Sequence, residues 1–201
     1  MIIIVDYKLG NPGSVFNMLK YLGVGAEITS DPDKIRRADK LILSGVGSFD
    51  TGIQNLNGMG LADILNMKVL DEKTPVLGIC LGMQLMCTRS DDGKANGLGW
   101  IDAETVKFTN KNYRIPHMMW NDVRILKESL LFNGSGLNPK FYFAHSFYVK
   151  MGSLENVVAT TSYGIEFVSV MEKNNIIGVQ FHPEKSHKFG MELLKNFSEK
   201  Y

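Results

Sequence analysis

Long apolar runs are missing from this 201-residue chain; stretches such as Met1 to Val5 and Lys40 to Leu43 are short. A membrane-spanning helix needs roughly 18–20 apolar residues in succession, so no membrane segment is expected. Asp6 and Lys8 follow the first apolar run at once, and no basic segment precedes it. That is not the layout of a secretory signal, and the expected location is the cytoplasm. Charge excess is missing too: 22 Lys and Arg face 21 Asp and Glu, a net charge of +1. Nothing therefore argues for nucleic acid as the main partner. At 44% apolar residues the chain is also no candidate for disorder.

Cysteine is nearly absent, with only Cys80 and Cys87. On one continuous helix their separation would mean a rise of about 10.5 Å. That exceeds the roughly 7 Å Cα limit of a disulfide. No C-x-x-C occurs, and the four histidines, at 117, 145, 182 and 187, lack H-x-x-x-H spacing. A structural zinc site is therefore not expected, nor is any other metal or a cofactor. Each cysteine is then either a nucleophile or a small buried hydrophobe.

What is present begins as alternating strands and helices. Ile2 to Asp6 is a continuous β-branched run, as in a strand buried on both faces. After the Gly10–Ser14 turn, Val15, Met18, Leu19 and Leu22 follow helical spacing. Ala26 to Thr29 reads as a strand, and Asp31-Pro32 opens a helix with Asp31 as N-cap. Lys40 to Ser44 and Pro75 to Ile79 are further strands. A helical stretch to about Asp71 lies between them, and another from Leu81 to about Arg89 follows. Cys87 falls inside that last helix and is expected to pack in the core. The second half carries aromatic and alternating segments, including Phe141 to Phe143, Phe147 to Val149 and Ile176 to Phe181. Turn residues such as Gly134, Gly136 and Pro139 separate them. Ser186 to Lys200 is a closing amphipathic helix. The expected fold is α/β: one domain over residues 1–201, with a mixed, mostly parallel doubly wound sheet flanked by helices. Antiparallel strands of the second half extend the same sheet.

Gly78-Ile79-Cys80-Leu81-Gly82 has the form G-x-nucleophile-x-G between a predicted strand and a predicted helix. That is the setting of a nucleophile elbow. An abrupt strand-to-helix turn strains the middle residue, and side chains two before and two after it would clash, hence both glycines. Cys80 would stand at the carboxyl edge of the sheet, where open α/β sheets bind ligands. The helix N-terminus there would favour the thiolate. A base is supplied by Gln180-Phe181-His182-Pro183-Glu184. His182 ends a buried strand pattern. Pro183 favours an extended backbone at His182, so His182 and Glu184 are expected to project to one side. Glu184 can then orient the imidazole toward Cys80. The Leu81 N–H, with one from the Gly45-Val46-Gly47 loop, would form an oxyanion hole. Of the other histidines, His187 lies on the last helix, and His117 and His145 follow no carboxylate at matched spacing.

Together these stretches resemble the triad (class I) glutamine amidotransferases, most closely the glutaminase subunits of imidazole glycerol phosphate synthases. Further matching stretches are Ile3 to Tyr7, Gly45 to Phe49, Leu77 to Leu85, Pro116 to Met118, Trp120-Asn121, Tyr142 to Ser146 and Gly178 to Ser186. The resemblance covers nearly the whole chain. It implies glutamine hydrolysis through a Cys80 thioester, with His182 and Glu184 completing the triad. It further implies Val46 and Leu81 as oxyanion donors, and Gly47, Gln84, His145, Ser146 and Phe147 as the glutamine pocket. No acceptor domain remains, so the resemblance implies a heterodimer with a (β/α)8-barrel cyclase that takes the ammonia in histidine biosynthesis.

Some positions depart from the pattern. Lys8 and Met119 stand where the family has small residues, on or near the face that meets the synthase. Ser44 replaces a proline and Phe147 a tyrosine, and Pro12-Gly13 also differs. The second expectation is a paralogue with the same chemistry that feeds another synthase, such as a nucleotide-sugar amidotransferase of surface glycan assembly.

Overall fold

The computed structural model describes residues 1–109, 113–134 and 139–201. The expected turn residue Gly136 lies outside them. In the first half, strands β1 (Ile2–Val5), β2 (Ala26–Thr29), β3 (Lys40–Gly45) and β4 (Val76–Cys80) alternate with helices. The helices are α1 (Pro12–Tyr21), α2 (Pro32–Arg36), α3 (Phe49–Gly58), α4 (Leu61–Asn66) and α5 (Leu81–Leu85). Met59-Gly60 divides the long helical stretch expected before β4 into α3 and α4. The Asp31 carboxylate caps α2 by accepting from the Asp33 N–H at 2.8 Å, as expected.

The second half supplies the short β5 (Arg89–Ser90), β6 (Ala103–Lys107), β7 (His117–Asp122) and β8 (Arg124–Ile125). It continues with β9 (Lys140–His145), β10 (Phe147–Met151), β11 (Val157–Ser162), β12 (Glu166–Lys173) and β13 (Ile176–Val179). Helix α6 (His187–Lys200) closes the chain. The main sheet runs β2-β1-β3-β4-β13-β12-β10-β6-β5, with β11 branching from β12 to β8. The half that holds β2, β1, β3, β4 and β13 is parallel throughout. Beyond β13 the β12, β10 and β6 pairings are antiparallel.

Alternate residues of each central strand enter different cores. Ile3, Val5, Leu41 and Leu43 pack with α2 to α5, whereas Ile2, Ile4 and Ile42 pack with α1 and α6. A strand covered on both faces needs apolar residues at every position, which is why Ile2 to Val5 shows no alternation. Each fully buried aliphatic side chain there contributes about 1.5–3 kcal/mol.

Two expectations need correction. The second-half strands do not all extend one sheet: β7 and β9 pair only with each other, antiparallel, as a two-stranded sheet. Helix α5 also stops at Leu85 rather than near Arg89. The carbonyls of Leu85, Met86, Cys87 and Thr88 instead accept from the N–H groups of Leu98, Ile101, Gly99 and Gly97 in the returning chain. Cys87 therefore lies in a turn, although it is fully buried as expected.

Candidate active site

The centre of the sheet brings the site together. Strands β3, β4 and β13 are parallel neighbours whose ends align, with Gly45 opposite Cys80 and Val179 opposite Ile79. One edge thus carries the Gly45–Gly47 loop, Cys80, and the turn that holds His182 and Glu184. Cys80 sits between β4 and α5 with φ 53°, the strained conformation expected at an elbow. A Cβ on Gly78 would meet the Met83 nitrogen at 2.7 Å. A Cβ on Gly82 would come within 1.8 Å of the Leu43 carbonyl oxygen. Both glycines are therefore demanded by close approach of the turn to its own helix and to β3.

His182 Nδ1 lies 2.7 Å from Glu184 Oε1, and both side chains are buried. The reason differs from the expectation. Only His182 is extended; Pro183 to Lys185 form a single 3₁₀ turn that folds the carboxylate back onto the ring. The turn is anchored to the β9 strand. The His182 N–H donates to the Tyr142 carbonyl at 2.9 Å, and the Ser186 hydroxyl donates to the His182 carbonyl at 2.6 Å while accepting the Tyr142 N–H at 3.0 Å. Burial disfavours a charge on His182, but attraction from Cys80 and the hydrogen bond and charge of Glu184 outweigh it and raise its pKa to about 10. Behind the ring, a cavity of about 60 Å³ is bounded by Ser44, His182 and Glu184.

In front of Cys80 lies a cleft of about 370 Å³. Val46, Gly47, Leu81, Gln84, His145, Ser146 and Phe147, all expected at the site, line it together with Cys80. His182 is not part of this wall; it closes the site from the cavity behind. Asp92 also lines the cleft and escaped the sequence reading, and Pro116 and Met118, read only as part of a matching stretch, line it too. Asp92 carries a signal only the fold reveals, since its Oδ2 accepts from the Phe49 N–H at the start of α3, 2.7 Å away.

The two histidines that seemed unorganised are bonded to each other. His145 Nδ1 lies 2.7 Å from the Phe147 carbonyl, which can only accept, so Nδ1 carries the proton. His145 Nε2 must then accept from His117 Nδ1 at 3.0 Å, and His117 Nε2 accepts from Asn121 Nδ2 at 3.3 Å. Burial lowers the pKa of His117 to about 4 and that of His145 to about 3, so both are neutral near pH 7. Both ring nitrogens of His145 are thereby committed. It shapes the cleft with its ring and has no free nitrogen to offer a ligand. The β7–β9 register, which sets His117 opposite His145, brings the two rings together and is visible only in the fold.

Cys87 is the inert counterpart of Cys80: burial raises its thiol pKa to about 12. Among the described residues, no group of three His, Cys, Asp or Glu side chains converges to hold a metal ion.

The family described as glutamine amidotransferase class-I matches residues 3–201. A relative from Methanococcus maripaludis, named imidazole glycerol phosphate synthase subunit HisH 2, is 54% identical over 198 residues, 98% of each chain. A protein of the same name from Pseudomonas aeruginosa is 44% identical over 200 residues, 99% of each chain. Among solved structures, one described as a glutamine amidotransferase superposes with a TM-score of 0.75 at 19% identity, covering 98% of this chain and 97% of the other. The glutaminase domain of Trypanosoma brucei CTPS with bound acivicin gives 0.68 at 17% identity, covering 100% and 94%. At such identities these structures speak to the fold alone.

Proposed function

The chain belongs to the class-I glutamine amidotransferases, and from that footing we propose that it is the glutaminase subunit of an imidazole glycerol phosphate synthase. The observation that carries the chemistry is the buried Glu184–His182 pair behind a strained Cys80 that opens onto a cleft. In this reading the Cys80 thiolate attacks the side-chain amide carbon of glutamine. The carbonyl oxygen takes up the negative charge, held by the Leu81 and Val46 N–H groups. As the carbonyl re-forms, the C–N bond breaks, and the His182 imidazolium gives its proton to the leaving nitrogen, which departs as ammonia. A glutamyl thioester remains. His182, now neutral, takes a proton from water, whose oxygen attacks the thioester and releases glutamate and the thiolate. Glu184 fixes the imidazole tautomer and balances its positive charge throughout.

The relatives' names as synthase subunits support a partner that consumes the ammonia. Ammonia released into water would be protonated and lose its nucleophilicity, so transfer requires contact with that partner. We assign the partner as the cyclase of histidine biosynthesis, with a (β/α)8-barrel fold. No helix among the described residues is long and apolar enough to cross a membrane. With the cyclase present, glutamate release should be lost in Cys80→Ala; unaltered turnover in that variant would refute the assignment.

A second reading keeps the chemistry and changes the acceptor. Lys8, paired with Asp6 at 2.7 Å, and the exposed Met119 place larger side chains on the surface than the family pattern has there. A paralogue that feeds a nucleotide-sugar amidotransferase would look this way. Stimulation of glutamate release by the cyclase decides for the first reading, and its absence for the second.

A further inference from the structure

Gln180 is fully buried beside the nucleophile, and the chemistry above gives it no task. Its Nε2 lies 3.6 Å from Cys80 Sγ, within reach of a hydrogen bond to sulfur. Its Oε1 lies 3.2 Å from Gln84 Nε2, and the same Gln84 nitrogen lies 3.1 Å from the Phe147 carbonyl oxygen. This chain has one consistent polarity. The Phe147 carbonyl can only accept, so Gln84 must present its NH2 there. The second hydrogen of that NH2 then meets Gln180, which must answer with its oxygen. The NH2 of Gln180 is left facing the sulfur. Turning either amide over would set two donors or two acceptors against each other in a buried site, which costs about 1–3 kcal/mol. A peptide carbonyl two bonds away thus decides which atom meets the nucleophile. The need is real, because α5 spans only five residues, Leu81–Leu85, and brings a correspondingly short dipole to Cys80.

We propose that Gln180 is a further catalytic residue, whose amide N–H donates to the Cys80 sulfur and holds it as the thiolate, with Gln84 as the residue that locks the amide in that orientation. The inference rests on Cys80 being the nucleophile and names a group that touches the reacting atom. The ionisable side chains around the sulfur are His182, with Glu184 behind it, Tyr7 and His145, and Asp92 on the cleft wall. Neither β4, β13 nor α5 contributes another. A further polar neighbour of the sulfur is the Ala144 carbonyl at 4.0 Å, which can accept from a thiol and offers nothing to a thiolate.

The test uses the full chain without partner or glutamine. The rate of Cys80 alkylation by iodoacetamide is followed against pH by peptide mass spectrometry. Loss of a hydrogen bond to a charged group in Gln180→Leu should raise the pH midpoint by about one unit. A more basic thiolate is also a better nucleophile, so the plateau rate at high pH should rise about threefold. A merely structural role would not link those two changes. Gln84→Met keeps Gln180 but removes its lock, and its midpoint should also rise. This variant carries the test if Gln180→Leu does not fold. A midpoint within about a quarter of a unit of the parent in the folded variants overturns the proposal. That result would leave Cys80 as nucleophile untouched, since the nucleophile assignment fails separately, by retained glutamate release in Cys80→Ala.

Discussion

Gly82→Ala tests whether the elbow is held by steric necessity. The added Cβ would sit 1.8 Å from the Leu43 carbonyl oxygen, where real Cβ contacts essentially never fall below 3.0 Å. The difference, 3.0 − 1.8, requires at least 1.2 Å of movement between the start of α5 and β3. Neither side yields cheaply. The Leu43 oxygen belongs to a buried central strand paired on both sides, and α5 starts directly from the end of β4. Overpacking of this kind costs about 1–3 kcal/mol. In a chain of this length that lowers Tm by about 2–4 °C for each kcal/mol. The functional cost should be larger. The displaced turn carries Cys80, the Leu81 N–H and Gln84 together, and a shift of about 1 Å in reacting groups can cost about 100-fold in rate. The expected result is glutamate release reduced about 100-fold with the cyclase present. The matched control is Gly58→Ala, at the end of α3, where a Cβ meets nothing within 4 Å. That variant should keep full activity and gain about 0.5–1 kcal/mol. If Gly82→Ala matched Gly58→Ala in both activity and Tm, the close-packing account of the elbow would be wrong.

Other outcomes follow from the buried charges. Glu184→Gln removes the charge that faces His182 Nδ1 at 2.7 Å while keeping the size of the side chain. Replacing a charge-assisted hydrogen bond with a neutral one should slow glutamate release about 10-fold or more and move the alkaline limit of activity to lower pH; activity within twofold of the parent would argue against the role. Because the pKa of His182 in the fold, about 10, exceeds its ordinary value of 6.5, its contribution to stability is complete below about pH 6.5 and is lost as pH rises through about 10. His182→Gln should therefore flatten the fall of Tm across that window, and parallel melting curves would contradict the ion-pair account. His117 has the opposite sign: buried and neutral with a pKa of about 4, it weakens the fold as pH drops from about 6.5 toward 4. His117→Phe, stacked in the same way between Phe143 and Tyr163, should lessen acid destabilisation in that range, as read by Tm against pH.

Much of this protein was legible in its sequence because the signals are local. A strand buried on both faces must be apolar throughout, so Ile2–Val5 announces itself. A strand-to-helix elbow must have small residues at fixed offsets, so Gly78 and Gly82 flag Cys80. The grouping of His182, Pro183 and Glu184 marked a pair that is hydrogen-bonded in the fold, although a 3₁₀ turn rather than an extended segment joins them. What sequence could not supply depends on contacts between distant segments. The end of α5 is set by residues 97–101, which take the carbonyls a longer helix would have used. The commitment of both His145 nitrogens and the orientation of the Gln180 amide each follow from one acceptor, the Phe147 carbonyl. Spacing along a chain fixes which face a side chain occupies. Which atom of an amide or imidazole faces the Cys80 sulfur is decided only when buried donors and acceptors must all be matched at once.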